Sequence, residues 1–261
     1  MKSKFNNTKP IIGVVHLDPL PGSPKFNSLE EVRKRAIEDS KKLEDGGIDA
    51  MIVENYGDNP FKKKVGDLTV SAMTDIIGDI KKEIKKPIGI NVLRNDWEAA
   101  LSIANILKLD FIRVNVYSGV SLTGEGIIEG EAADIQRFKD IHDIEVDVMA
   151  DIQVKHGKKL YPKGIQDEAL EATERGLADQ LIISGKRTSQ APNIEDLKSV
   201  KNTVNRPVLI GSGLTLNNIE KLLPFSDGAI VGTHIKKEEN TSNEVSLKRV
   251  KSLMDAVKEI R

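Results

Sequence analysis

At 261 residues the chain is within the length at which one domain still forms around one core, so a single domain over residues 1–261 is expected. Its 39 Lys and Arg residues nearly balance 40 Asp and Glu residues, giving a formal net charge of −1, which argues against a nucleic-acid polymer or an anionic membrane surface as partner. The absence of cysteine excludes disulfides, zinc–thiolate sites and cysteine nucleophiles, and is typical of the reducing cytoplasm.

The N-terminal region predicts neither a signal peptide nor a membrane span. Residues 1–10 are polar, and the apolar run after them covers only residues 11–15. A signal peptide needs an apolar stretch of about 7–15 residues and a membrane span about 20. We therefore expect a cytoplasmic protein with no membrane-spanning segment.

Eight short apolar segments recur along the chain and predict strands. Each is rich in Val, Ile and Leu without polar alternation, the pattern of parallel strands buried on both faces. The predicted strands are residues 11–16, 50–54, 88–92, 111–116, 146–150, 180–184, 208–211 and 229–232.

Segments with helical spacing follow these strands. The first begins with the capping pair Ser28 and Glu31 and ends at Gly46 and Gly47, as helix start and stop signals require. The others are residues 68–84, 97–107, 132–141, 167–177, 194–204, 216–223 and 246–260. Such alternation of strand and helix requires parallel crossovers, which either an open doubly wound sheet or a closed barrel accommodates.

The end of the first strand favours the barrel. An open dinucleotide-binding sheet would carry a G-x-G-x-x-G turn after an early strand, with an acidic residue about 20 positions later. This chain has His16-Leu17-Asp18-Pro19 there instead. We therefore predict an α/β protein with a closed, eight-stranded parallel (β/α)8 TIM barrel, and neither a linker nor a second domain.

Polar side chains are concentrated at the predicted C-terminal ends of the strands, where barrel enzymes carry their active sites. They are His16, Asp18, Glu54, Asn55, Asn91, Arg94, Asp96, Arg113, Asn115, Asp151, Gln153, Lys155, His156, Ser184, Lys186, Thr188, Ser212, Thr233 and His234. We select as substrate-binding candidates His16, Asn91, Arg113, Asn115 and Ser184.

Glycine-rich turns after the seventh and eighth strands predict a phosphate site. Gly211-Ser212-Gly213 precedes a helix expected to begin near Thr215, and Gly232-Thr233 follows the last strand. Backbone N–H groups at glycines and the positive end of a helix dipole bind phosphate without a lysine, and barrels commonly place phosphate at these two strands. The alternative is that Gly213 only makes the turn and Gly232 only relieves crowding at the rim. The phosphate interpretation makes a small phosphorylated molecule the expected ligand.

Arg113 has two interpretations that the sequence leaves open. With Asn91 and Asn115 it could bind a carboxylate or hydroxyls at the barrel mouth, or it could close a structural ion pair with Glu54 or Asp151. Glu54 and Asp151 are the catalytic candidates, because partly buried carboxylates beside other charges are suited to proton transfer near neutral pH. The sequence ranks neither carboxylate above the other.

Metal binding and Schiff-base chemistry have weaker support. His16, Glu54, Asp151 and His156 are of metal-binding types, but they lack H-x-H or H-E-x-x-H spacing, so we predict no metal site and name no cofactor. His156 lies in a hydrophilic run and is typical of a solvated loop. Lys186, after the sixth strand, is either a Schiff-base nucleophile or an exposed loop lysine.

The connection over residues 117–130 is long for a βα loop and carries several glycines. Length and glycine content together indicate a lid that closes over the ligand. The alternative is a mobile surface loop.

Several strings taken together resemble the BtpA/SgcQ family, and the match runs from about Pro10 to the end of the eighth strand. The strings are residues 15–22 (VHLDPLPG), 47–55 (GIDAMIVEN) and 89–96 (GINVLRND), with the turns Ser184-Gly185 and Gly211-Ser212-Gly213. The resemblance implies a barrel of the ribulose-phosphate-binding type that forms homo-oligomers. One member is associated with photosystem I biogenesis and another with sugar-metabolism genes, so the family implies either a metabolite-binding enzyme or a non-catalytic assembly factor.

One turn departs from the family pattern. After the sixth strand the family reads Ser/Thr-Gly-x-x-Thr-Gly, whereas this chain has Ser184-Gly185-Lys186-Arg187-Thr188-Ser189. The second glycine is missing, and the pattern does not call for a lysine at this turn. The resemblance therefore does not favour Schiff-base chemistry at Lys186.

Overall fold

A closed parallel barrel forms the centre of the protein. The computed structural model describes residues 8–153, 157–185 and 190–261. The strands within them are β1 (Ile11–His16), β2 (Ala50–Glu54), β3 (Ile88–Asn91), β4 (Phe111–Val114), β5 (Val120–Thr123), β6 (Gly126–Glu129), β7 (Asp147–Asp151), β8 (Gly157–Lys159), β9 (Gln180–Ile183), β10 (Val208–Ile210) and β11 (Gly228–Val231). The barrel runs in the order β1-β2-β3-β4-β7-β9-β10-β11 and closes by pairing of β11 with β1. The prediction of a closed parallel barrel is confirmed.

Helices follow the barrel strands and cover their outer face. In the described ranges they are α1 (Leu29–Asp45), α2 (Asp67–Glu83), α3 (Trp97–Leu107), α4 (Ala132–Ile141), α5 (Ile165–Leu170), α6 (Ile194–Thr203), α7 (Ile219–Leu222) and α8 (Leu247–Ile260). α1 begins as predicted, with Ser28 Oγ accepting the Glu31 N–H at 3.3 Å, and ends at Gly46. No described helix has both the length and the apolar character needed to cross a membrane.

Apolar side chains fill both faces of the barrel strands. Ile12 and Val14 of β1 belong to the cluster inside the barrel, whereas Ile11 and Val15 belong to the layer between strands and helices. This alternation is why the strands read as continuous apolar runs. Phe111 fills much of the interior, and a Cβ at Gly89 would lie 2.1 Å from its ring. Glycine at position 89 is therefore needed for the barrel to close around Phe111.

The glycine-rich connection after β4 is a β-hairpin. β5 pairs antiparallel with β6 and with β8, which gives a small three-stranded sheet separate from the barrel. Ile128 on one face of this sheet is buried, whereas Leu122 and Ile127 are exposed. The segment predicted as a lid or a mobile loop is therefore regular structure.

The helix predicted over residues 216–223 is wrong in extent. α7 has four residues and passes into a 3₁₀ turn at Leu223–Phe225. The Asn218 side chain accepts the Thr215 N–H and donates to the Gly213 carbonyl, both at 2.8 Å. These bonds close a local turn over residues that the apolar spacing had assigned to a helix. Consequently no helix begins near Thr215 to direct its dipole at a phosphate.

Candidate functional site

The C-terminal ends of the barrel strands surround a cavity of about 320 Å³. Nine of the residues selected from the sequence line it: His16, Glu54, Asn91, Arg113, Asn115, Asp151, Ser212, Gly232 and Thr233. Strand geometry explains this, because the ends of parallel strands in a barrel meet around one opening. The described part of the chain thus brings most of the predicted site together.

Arg113 lies at the centre of the charged floor of this cavity. Its Nη1 donates to Glu54 Oε1 at 3.2 Å, and its Nε and Nη2 donate to the two oxygens of Asp151 at 3.2 and 3.1 Å. Nη2 also donates to the Gly211 carbonyl at 3.3 Å. Burial lowers the pKa of Arg113, but the charges of Asp151 and Glu54 outweigh it, so the pKa is raised. Arg113 therefore closes ion pairs with both carboxylates and still lines the cavity.

Two asparagines complete the floor. Asn91 Nδ2 donates to Glu54 Oε1 at 3.2 Å, and Asn115 Nδ2 donates to Asp151 Oδ2 at 2.6 Å. Within the described residues, Oδ1 of Asn115 has no hydrogen-bond partner although the side chain is buried. Buried acceptors are nearly always satisfied, so this oxygen is suited to a hydroxyl of a ligand.

The two candidate carboxylates differ in what surrounds them. Both oxygens of Asp151 accept hydrogen bonds from Arg113, and one of them also accepts from Asn115. Glu54 uses Oε1 for Arg113 and Asn91, whereas its Oε2 lies 3.9 Å from His16 Nε2. A carboxylate beside an imidazole in a cavity is a geometry suited to proton transfer. The structure therefore separates Glu54 from Asp151, which the sequence did not.

The predicted phosphate residues are only partly at the cavity. Ser212, Gly232 and Thr233 line it, and a 3₁₀ turn begins at Thr233. Gly211 instead offers its carbonyl to Arg113 and to the Ser184 hydroxyl, which places Ser184 in the wall behind the cavity. Gly213 has a φ of +92°, and a Cβ there would lie 2.3 Å from the backbone of Gln190. Turn geometry and close backbone packing thus account for Gly213.

Several cavity residues have no role that the sequence predicts. Arg94 was identified only as a strand-end residue, and the remaining lining residues are Val14, Tyr56, Asn59, Phe61, Leu93, Glu125 and Ile230. Arg94 is buried, and its Nε lies 3.6 Å from Glu125 Oε2 at the tip of the hairpin. Burial lowers the pKa of Arg94, against the raising effect of Glu125. Asn95 and Asp96 next to it give the sequence signal for a polar strand end, whereas nothing local predicts that the hairpin tip reaches the cavity.

The described residues show no arrangement that supports a metal site or a Schiff-base lysine. Over residues 8–153, 157–185 and 190–261, no group of three or more His, Asp and Glu side chains is arranged to hold a metal ion. His156 and Lys186 lie outside the described residues.

Comparison with known proteins agrees with the fold and gives the family. The family model described as "BtpA family" matches residues 7–259. A protein of Pyrococcus horikoshii is 47% identical over 99% of both chains, and the photosystem I biogenesis protein BtpA of Synechocystis is 40% identical over 98% of this chain and 90% of its own. Among solved structures, (S)-3-O-geranylgeranylglyceryl phosphate synthase from Thermoplasma acidophilum superposes with a TM-score of 0.58 at 18% identity, covering 97% of this chain and 94% of that one. The chain belongs to the BtpA family.

Proposed function

We propose that this protein is an enzyme that binds a small phosphorylated metabolite in the barrel mouth, with the phosphate at Ser212, Gly232 and Thr233. The observation that carries the proposal is the closed cluster of Arg113, Glu54, Asp151, Asn91 and Asn115 on the cavity floor. Burying charges in this way is costly for stability alone. Such clusters are typical of sites that bind a polar ligand and catalyse its reaction.

Backbone geometry supports the position of the phosphate. A Cβ at Gly232 would lie 3.0 Å from His16 Cε1, so glycine at this position lets the backbone of the rim and the imidazole approach each other closely. A 3₁₀ turn begins at Thr233, directly after Gly232. The synthase of Thermoplasma acidophilum, which shares the barrel fold, was solved with its substrate sn-glycerol-1-phosphate. Barrels commonly bind phosphate at these two strands.

The floor residues divide the remaining work. Glu54 and His16 lie where they can take a proton from the ligand and return it, because the carboxylate and the imidazole adjoin in the cavity. Arg113 holds Glu54 and Asp151 in place, and Asn91 and Asn115 orient ligand hydroxyls. Arg94 brings a second cation to the cavity wall.

A non-catalytic assembly role is the second candidate. The Synechocystis relative is named for photosystem I biogenesis, and apolar side chains are exposed around the small sheet, at Leu122, Ile127, Leu160 and Tyr161. Exposed apolar patches mark interaction surfaces in many proteins. This role would use the sheet surface and would not need the charged cavity floor.

Thermal unfolding in the presence of phosphorylated and unphosphorylated sugars tests the proposed function. A ligand at about 100 times its dissociation constant stabilises the folded state by about 2.7 kcal/mol. We expect a phosphorylated compound to raise the unfolding temperature and its unphosphorylated form to have no effect. Thr233→Glu should abolish the shift by repelling the phosphate, whereas Thr74→Glu on α2 brings the same charge change outside the barrel and should retain it. If no phosphorylated compound raises the unfolding temperature, the assembly role is favoured.

A further inference from the structure

Two aromatic side chains at the mouth of the cavity have no role in the proton chemistry or the phosphate site. Tyr56 and Phe61 follow β2, line the cavity and are half-buried. Their ring centroids are 6.5 Å apart. Among the described residues, neither ring belongs to the two apolar clusters that fill the barrel, nor to the side chains packed against them. Core packing therefore does not account for this pair.

His16 connects the aromatic pair to the phosphate end of the cavity. Its ring lies 4.7 Å from Tyr56, centroid to centroid, and adjoins Gly232 on another side. Gly232, His16, Tyr56 and Phe61 thus follow one another around the rim. A ligand whose phosphate lies at Gly232 and Thr233 would extend past His16 and reach the two rings.

We infer that the ligand carries a planar heterocyclic ring at the end opposite its phosphate, and that this ring stacks on the face of one of the two side chains, Tyr56 or Phe61, and contacts the edge of the other, because the two rings are inclined by 60°. The inference rests on the proposed function, since the phosphate fixes which end of the ligand meets the rings. Planar rings stack on aromatic side chains through their π faces. Sugar hydroxyls, by contrast, match the amides of Asn91 and Asn115 on the floor.

A polar side chain beside the rings specifies the kind of ring. Asn59 lines the cavity and is exposed, close to Tyr56, whose carbonyl accepts from its Nδ2 at 3.4 Å. A carboxamide offers both a donor and an acceptor, which suits the nitrogen and carbonyl edge of a heterocycle. Ligand pockets range from about 300 to 1,000 Å³, and this cavity of about 320 Å³ is near the lower limit. The ligand class is therefore a single nucleoside monophosphate, with base, pentose and phosphate in that order along the rim.

Calorimetric titration with inorganic phosphate, ribose 5-phosphate and the common nucleoside 5′-monophosphates tests this class. We expect at least one monophosphate to bind about tenfold or more tightly than ribose 5-phosphate, the gain typical of stacking one base. Tyr56→Leu and Phe61→Leu should each reduce that advantage and leave the affinity for ribose 5-phosphate unchanged. Phe225→Leu, which removes a half-exposed ring before β11 at the other end of the barrel, is the matched control.

The outcomes separate this inference from the proposed function. Equal affinity for ribose 5-phosphate and every monophosphate would overturn the ring site and leave the phosphate site standing. An equal loss of affinity for both ligands in Tyr56→Leu and Phe61→Leu would do the same. Absence of binding by every phosphorylated compound would overturn both. Circular dichroism shows whether each leucine variant folds as the wild type does. One folded variant is sufficient for the comparison of affinities.

Discussion

Gly213 lies in a turn that leaves no space for a side chain. Its φ of +92° and the 2.3 Å distance that would separate a Cβ at this position from the backbone of Gln190 both exclude a side chain. We expect Gly213→Ala to lower the free energy of unfolding by about 1–3 kcal/mol through backbone strain. Urea unfolding measures this. Gly124→Ala is the control, since nothing lies within 4 Å of a Cβ at that glycine. Equal stability of the two variants would contradict the assignment.

Arg113 holds two buried carboxylates, so its removal should be costly. We expect Arg113→Met to lower the free energy of unfolding by about 3–5 kcal/mol, because Glu54 and Asp151 would remain as unpaired buried charges. As the control, Lys41→Met breaks a half-exposed ion pair in which Lys41 Nζ lies 2.9 Å from Glu83 Oε2. This change should lower the free energy of unfolding by under about 1 kcal/mol. A deficit for Arg113→Met as small as the control's would show that the cluster is not closed in solution.

His234 gives the stability a dependence on pH. Burial, together with the charge of Arg249, lowers its pKa below the ordinary 6.5, although Glu239 opposes the shift. The unfolded chain therefore binds a proton at a higher pH than the folded protein does. Consequently the stability contribution of this residue is present above about pH 6.5 and is lost as the pH falls from there towards the folded-state pKa.

Unfolding temperatures measured from pH 7.5 down to 5.5 test the assignment to His234. The wild type should lose stability over this range more steeply than His234→Gln. His142→Gln removes an exposed histidine and should leave the wild-type slope unchanged. Identical slopes in wild type and His234→Gln would assign the pH dependence to other groups.

At the scale of elements, the β5–β6 hairpin reaches the cavity with its tip. It contacts the cavity through Glu125, whose Oε2 lies 3.6 Å from Arg94 Nε, and both side chains are largely buried. We expect bound ligand to slow amide hydrogen exchange over residues 120–129 severalfold, because the ion pair and the ligand close the same opening.

Variants of the hairpin identify what holds it. Glu125→Gln should speed exchange over residues 120–129 in the free protein, since the neutral amide loses the attraction of Arg94. Glu129→Gln changes an exposed carboxylate on the same hairpin and should exchange as the wild type does. If ligand leaves exchange of the hairpin unchanged, the hairpin is a fixed wall and not a lid.

Short-range patterns explain why most of the fold was predictable. Apolar runs without alternation locate the barrel strands, and the capping pair before α1 locates the start of that helix. The helix prediction over residues 216–223 was wrong in extent because the Asn218 side chain hydrogen-bonds to Thr215 and Gly213. Such side-chain turns compete with a helix and leave the apolar spacing unchanged. The three-stranded sheet was not predicted because β5 also pairs with β8, a contact distant in sequence.

The same distinction applies to the candidate site. Residues at strand ends, such as Glu54 and Arg113, were predictable because strand position alone directs them to the mouth. Tyr56, Phe61 and Glu125 belong to connections, and no periodic pattern indicates which connection residues turn towards the cavity. The partners of Arg113 were also left open, since spacing does not show which of two carboxylates a side chain reaches.

At the scale of the whole molecule, closure of the barrel should make the chain unfold as one unit. β1 pairs with β11, and one apolar cluster includes Ile11 near the start of the chain and Val257 in α8. A closed barrel has no edge at which part of it can separate without breaking strand pairs. We therefore expect fluorescence of Trp97, the single tryptophan, and far-ultraviolet circular dichroism to change at the same urea concentration.

A second fluorescent position makes this test independent of α3. In a double variant with Trp97→Phe and Phe225→Trp, the tryptophan reports from the turn before β11, on a different part of the barrel. Its midpoint should again coincide with that of circular dichroism. Separate midpoints for the two tryptophan positions would show that the barrel unfolds in parts, and the single-domain organisation over residues 1–261 would then be wrong. If the fluorescence and circular dichroism midpoints coincide in both the wild type and the double variant, strand pairing around the barrel is lost in one step.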